Sequence, residues 1–170
     1  GTYQPTTLDD VERFAEHTGG SLAYLKLEVL GVRDTAADHA AAHVSMAAGM
    51  ATMLRACPAT LARRQCYLPF DLLAQHNVST EDLFRGAPPP ALAEVVFAVA
   101  TRAMTHVAVA RGLVPKCPPA CLAALQPLVL AEDFLLHLQA RRFDVFHPSL
   151  ARPRLRVYPK LLLAHTLGRV

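Results

Sequence analysis

One apolar stripe constrains this chain more than any other feature. Leu92, Val95, Val96, Val99, Ala103, Val107 and Ala110 recur at steps of three and four, and Glu94, Thr101 and Thr105 fall on the opposite side. That period belongs to a helix, and it predicts an amphipathic helix over Ala91 to Arg111. A helix with one apolar stripe needs other helices to cover it. Alanine and leucine dominate the chain, tryptophan is absent and β-branched runs are few, so the expected fold class is all-α. With 170 residues, one domain with a sizeable core is expected.

Further helices follow from capping and breaker residues. Asp9 to Leu30 reads as a helix, with Phe14, His17, Ser21 and Glu28 at helical steps and Gly19-Gly20 inside it. Two mid-helix glycines cost about 1 kcal/mol each relative to alanine. That expense predicts close approach of another helix or a ligand. Gly31 is the expected C-cap. A second helix is expected from Asp34, its N-cap, to Ala56, with Pro58 ending it. Ala59 to Tyr67 reads as a basic loop, Pro69 to His76 as a short helix, and Ser79 as the cap of another. Gly86 to Pro90 is a linker, and Pro115 to Pro119 breaks the chain. Helices at Ala120 to Leu125 and Val129 to Arg142, a turn at Phe143 to Pro148 and a last helix at Leu155 to Leu167 complete the reading.

Charge and cysteine content exclude several function classes. The net charge is +3 with no basic block, which gives no case for nucleic acid. A weakly basic surface could still meet anionic lipid. No signal-peptide pattern opens the chain, and no uncharged apolar run of about 18 residues appears, so no membrane span is expected. The cysteines are Cys57, Cys66, Cys117 and Cys121. Cys117 and Cys121 lack the two-residue spacing of zinc or redox motifs. All four read as reduced, partly buried thiols, suited to a cytosolic or matrix compartment.

Chemistry-bearing residues concentrate between Leu54 and Asp71, which read Leu-Arg-Ala-Cys-Pro-Ala-Thr-Leu-Ala-Arg-Arg-Gln-Cys-Tyr-Leu-Pro-Phe-Asp. This stretch resembles the squalene/phytoene synthase superfamily, whose motif is Asn-x-x-Arg-Asp-x-x-x-Asp, a basic loop and Tyr-Leu-Pro. Arg55 fits the motif arginine, and Tyr67-Leu68-Pro69 fits the end. The asparagine falls on Thr52 and the two aspartates on Ala56 and Thr60. Diphosphate ionisation in that family uses carboxylates around Mg²⁺, a hard cation that takes several oxygen ligands. Alanine has no side-chain oxygen and threonine offers only a neutral hydroxyl. Phe14-Ala-Glu-His-Thr-Gly-Gly20 loosely resembles the family's Tyr-Cys-x-x-Val-Ala-Gly.

One branch of that superfamily, the mitochondrial complex I assembly factors, is matched in more detail. The matching words are Ala37-Asp-His-Ala-Ala-Ala-His43, Leu54-Arg-Ala-Cys-Pro58, Arg63-Arg64, Tyr67-Leu-Pro-Phe-Asp71, Gln75-His76-x-Val-Ser-x-Glu-Asp82 and Phe143-Asp-Val-Phe-His-Pro-Ser-Leu150, in order. The resemblance implies an isoprenoid-synthase-like helical bundle, here its C-terminal half, with residues 1–170 one domain truncated on its N-terminal side. It implies a pseudoenzyme with no catalytic residue, cofactor or metal. Its role would be chaperone-like promotion of complex I biogenesis at the matrix face of the mitochondrial inner membrane. Complex I subunits or other assembly factors would be its partners, with peripheral inner-membrane or lipid contact and no nucleic acid. Any targeting segment would lie outside this chain. The competing readings are an active prenyl or terpenoid transferase using Asp34 and Asp38, and a lipid-binding module using the residual cavity.

Each candidate also has a plain structural reading. Asp34 and Asp38 share a helix face, which suits Mg²⁺, but they also suit an N-cap and the helix dipole. His39 and His43 can bind zinc at i and i+4, or form a buried hydrogen-bonded pair. Arg55, Arg63 and Arg64 can grip a phosphate or an acidic partner, or form a solvated loop paired to Asp71 and Glu81. His39, His43, Met46, Met50 and Met53 are candidate cavity-lining residues on one stripe, or core. That stripe, and the one from Leu92 to Val107, are expected to lack cover within 170 residues and to drive association.

Overall fold

Thr7 opens the first helix. Its hydroxyl accepts from the Asp10 amide, and the Asp10 carboxylate accepts from the amides of Thr7 and Thr6. This reciprocal capping box satisfies donors that have no partner inside the helix. In the computed structural model, which describes residues 4–151 and Pro159, α1 runs Leu8–Ala15 and passes without a break through a π-turn, Glu16–Gly20, into α2, Ser21–Val29. The wider turn displaces backbone acceptors. The Thr18 hydroxyl donates to the Phe14 carbonyl at 2.7 Å and Ser21 donates to His17 at 3.0 Å. Gly31 takes φ +68° after α2, and bonds from Gly31 to Glu28 and from Val32 to Leu27 close the helix end, a geometry open to glycine without strain.

The central element is α3, Thr35–Ala62, capped by Asp34, whose carboxylate accepts from the Ala37 amide at 2.8 Å. Pro58 lies inside this helix, not at its end. The expected stop fails because Cys57 and Leu61, on either side of Pro58, are both buried. Burying an aliphatic side chain is worth about 1.5–3 kcal/mol, enough to offset much of a proline's penalty. The expected loop over Ala59 to Tyr67 is therefore helical for its first half. Arg64, at φ 57°, marks the turn that follows.

Two short helices come next, α4 (Phe70–Gln75) and α5 (Thr80–Phe84). Pro69 brings no capping side chain to α4. Instead the Phe70 and Asp71 amides donate to the carbonyls of Pro5 and Thr6, which pins residues 5–6 against the first turn of α4. The longest stripe becomes α6, Leu92–Leu113, and all seven of its apolar positions are buried. After two 3₁₀ turns come α7, Leu122–Leu125, and α8, Pro127–Ala140. Helices α1, α6 and α8 pack around α3. No strand occurs among the described residues. The fold is all-α. Leu92–Lys116 is long and apolar enough to cross a membrane by length and composition, but its apolar stripe is spent on the bundle. The expected last helix, Leu155 to Leu167, lies outside the described residues.

Helices α1 and α3 touch through small residues. A Cβ on Gly49 would stand 2.6 Å from the Ala15 Cβ, and one on Gly19 would stand 3.3 Å from the Ser45 Cβ. The Gly19 expense thus has the cause its sequence suggested, close passage of another helix.

Candidate functional site

A cavity of about 550 Å³ opens where α3 faces the continuous helical run of α1, the π-turn and α2. The α3 side owes its emptiness to small residues on one stripe: Ser45, Ala48, Gly49, Thr52 and Ala56, extended by Thr60. Steps of three and four put them on one face. The opposite wall is Val11, Phe14, Ala15, Gly19 and Leu22, so the π-turn borders the cavity. Tyr67, Pro5, Ala124 and Pro127 also contribute.

The wall is more apolar than its residue names suggest. Ser45 donates its hydroxyl to the Ala41 carbonyl at 2.8 Å, and Thr60 donates to the Cys57 carbonyl at 3.1 Å. Thr18 is satisfied by its own helix in the same way. Hydroxyls spent on backbone are poorly available to a ligand. Among the described residues Lys26 is the one charged side chain on the wall, and it is exposed.

The positions singled out in the motif come together here. Thr52, Ala56, Thr60 and Tyr67 all line the cavity. Of the methionines, Met53 lines it, Met50 is wholly buried in the core and Met46 is half-buried outside the wall. Asp34 and Asp38 lie elsewhere, in a separate and more open depression with Glu28 and Arg33. Arg55 points away, its guanidinium 4.8 Å over the Phe134 ring of α8. Arg64 is bonded to Glu81 at 2.9 Å and stacks on Phe84. Arg63, exposed, caps the C-terminal end of α3, where a cation meets the negative end of the helix dipole. The three arginines thus form no single cluster.

The histidines pair differently from the expectation. His39 is exposed, so no buried His39–His43 pair exists. The Nδ1 of His43 lies 2.9 Å from the Nδ1 of His106 on α6, and the Nε2 of His106 lies 2.6 Å from Glu12 on α1. Arg102 joins Glu12 at 3.0 Å and Asp9 at 3.3 Å. Burial raises the Glu12 carboxyl, but the bonds from His106 and Arg102 outweigh it and hold it below the usual carboxylate range. Burial, then the neighbouring His106 and His39, push His43 below the usual imidazole value. This node ties α1, α3 and α6 together. Sequence spacing misses it, because Glu12 and His106 stand 94 positions apart. All four cysteines are unpaired thiols. Burial pushes the Cys57 thiol up to about 12 and the Cys121 thiol up to about 11. Among the described residues no group of three or more histidine, cysteine or acidic side chains has the geometry of a metal site.

Known proteins share both sequence and shape with this chain. The mouse NADH dehydrogenase (ubiquinone) complex I, assembly factor 6 is 44% identical over 144 residues, covering 85% of this chain and 43% of that protein. The human protein of that name is 41% identical over 143 residues, covering 84% and 43%. The Drosophila melanogaster homolog is 35% identical over 149 residues, covering 87% and 45%. The chain therefore spans less than half the length of the curated relatives it matches. Crystal structures of squalene synthase HpnC from Alicyclobacillus acidocaldarius and of a dehydrosqualene synthase in complex with ligand have the same fold. The first superposes with a TM-score of 0.74 at 17% identity, over 83% of this chain and 54% of the other. The second does so with a TM-score of 0.76 at 18% identity, over 97% and 59%. The model of the squalene/phytoene synthase family matches residues 1–158, and the chain belongs to that family.

Proposed function

We propose that this chain is a non-catalytic part of a protein that promotes biogenesis of mitochondrial respiratory complex I, acting by binding from the matrix face of the inner membrane. The observation that carries the reading is the identity of three cavity residues. Thr52, Ala56 and Thr60 stand on the wall, where the resemblance to synthases puts an asparagine and two aspartates. A Mg²⁺–diphosphate cage needs several oxygen ligands, and these positions supply none that is charged. The names of the relatives support the assembly role. The partners would be complex I subunits or other assembly factors, with exposed Arg63 as one contact for an acidic surface. Asp34 and Asp38 lend no support to the transferase reading, because Asp34 is engaged as a cap and neither borders the cavity.

Two measurements test this reading. Incubation with farnesyl or geranylgeranyl diphosphate and Mg²⁺ is expected to release no pyrophosphate above a heat-killed control. Cells lacking the protein are expected to lose assembled complex I on native gels and to regain it on re-expression. Turnover abolished by Asp34→Asn, or normal complex I in the deficient cells, would overturn the proposal.

A further inference from the structure

We infer that the cavity binds a single long hydrocarbon chain with a monoanionic head, of the fatty-acid type, held without a divalent metal and with Lys26 facing the head. The inference rests on the reading that the cavity is not a metal–diphosphate site, and it adds what the cavity takes instead.

Five observations carry it. The cavity, at about 550 Å³, falls within the roughly 300–1,000 Å³ of small-molecule sites. Its shape is built into the sequence: the small residues of α3 keep one wall back, and the π-turn supplies part of the other through Thr18 and Gly19. π-Turns inside helices are often found at functional sites. The wall offers hydrocarbon. Val11, Phe14, Leu22, Val44 and Met53 are apolar, and the hydroxyls of Thr18, Ser45 and Thr60 are bonded to their own helices. With only the hydroxyls of Thr52 and Tyr67 left on the wall among the described residues, a strongly polar ligand buried there would lose its water and regain few hydrogen bonds. Among the described residues the charge on the wall is a single cation, Lys26, with no carboxylate to recruit a metal. One ammonium matches one negative head. A diphosphate carries more charge than this wall can neutralise. Phe14 and Leu22, each 55% exposed, place apolar surface at the mouth, where a chain would enter.

The test is a titration of the full-length protein with cis-parinaric acid, a fluorescent fatty acid, in buffer containing EDTA. Saturable binding at one site per chain is expected, with displacement by oleic acid. Ala56→Phe fills the cavity from within and Thr52→Phe fills it from its exposed edge; each should weaken binding at least tenfold at an unchanged melting temperature. Lys26→Glu should weaken oleic acid about tenfold and leave oleyl alcohol unchanged. Absence of saturable binding would overturn the inference, as would full binding in a folded Thr52→Phe variant. So would a cavity occupied by a second copy or by another segment of the protein, seen as protection of the wall residues Phe14 and Met53, which lie off α2, from hydroxyl-radical labelling without added lipid. Farnesyl diphosphate that binds more tightly than oleic acid, and only with Mg²⁺, would overturn it too. Pyrophosphate release in that last arm would also defeat the non-catalytic reading. Loss of fatty-acid binding without such release defeats the inference alone.

Discussion

Gly49 stands where α3 passes Ala15 of α1, and a side chain there has nowhere to go. Its Cβ would sit 2.6 Å from the Ala15 Cβ and 3.1 Å from the Ala15 Cα. The obstacle is a helix, not a flexible side-chain tip. Gly49→Val is therefore expected to destabilise the fold by about 1–3 kcal/mol, as overpacking does. Gly112 makes the opposite case, because nothing lies within 4 Å of its Cβ position. Gly112→Ala in the last turn of α6 is expected to stabilise by about 0.5 kcal/mol. Urea melts of the two variants would check the pair, and equal effects of one sign would refute the packing argument. His43 sets a pH dependence. Its folded-state pKa is lowered by burial and by His106 and His39, against the opposing pull of Glu12 and Glu16. As pH falls below the unfolded value of about 6.5, the unfolded chain takes up the proton first. The stability contributed by neutral His43 is whole above that pH and is lost as pH falls toward the folded pKa. His43→Gln should flatten the decline in melting temperature between pH 7 and 5. Parallel declines in the two proteins would show that His43 does not set it.

Helix α3 holds the most telling departure from the sequence reading. Pro58 is a sound stop signal taken alone, since it removes a hydrogen bond to Leu54 and crowds its carbonyl. Local propensity lost here to tertiary burial, because Leu54, Cys57 and Leu61 all face the core. Pro58→Ala is expected to stabilise by about 1–2 kcal/mol, restored helix bonding being partly offset by a freer unfolded chain. A lower midpoint in denaturant would show that α3 depends on its proline. The α6 stripe, the Asp34 cap, the Gly31 terminus and the close approach at Gly19 were legible, because each rests on near-neighbour spacing or backbone geometry. The π-turn was not, since nothing in Glu16 to Gly20 distinguishes it from an ordinary turn of helix. At the site, the motif gave Thr52, Ala56, Thr60 and Tyr67. The loosely matched stretch from Phe14 to Gly20 reached the opposing wall through Phe14, Ala15 and Gly19, but the Glu12–His106–His43 node was not legible, because elements distant in sequence make it.

For the molecule as a whole, the uncovered surface lies elsewhere than the stripes had suggested. Met50 is wholly buried and the stripe from Leu92 to Val107 is covered, because α6 and α8 both pack on α3. Exposed apolar side chains gather instead on α2, where Leu22 is 55%, Leu25 59% and Val29 80% exposed. Leu25 and Val29 lie outside the cavity wall, so a ligand in the cavity would not cover them. Contiguous apolar surface of this kind marks an interaction face. The chain should therefore melt cooperatively, because its core is closed, and should still self-associate at micromolar concentration through α2. Leu25→Glu combined with Val29→Lys should convert it to a monomer with little change in melting temperature, since both side chains are mostly exposed. Sedimentation velocity separates the outcomes. A sharp monomeric boundary for the unsubstituted chain would show that α2 is not adhesive, and association persisting in the double variant would move the contact to another face.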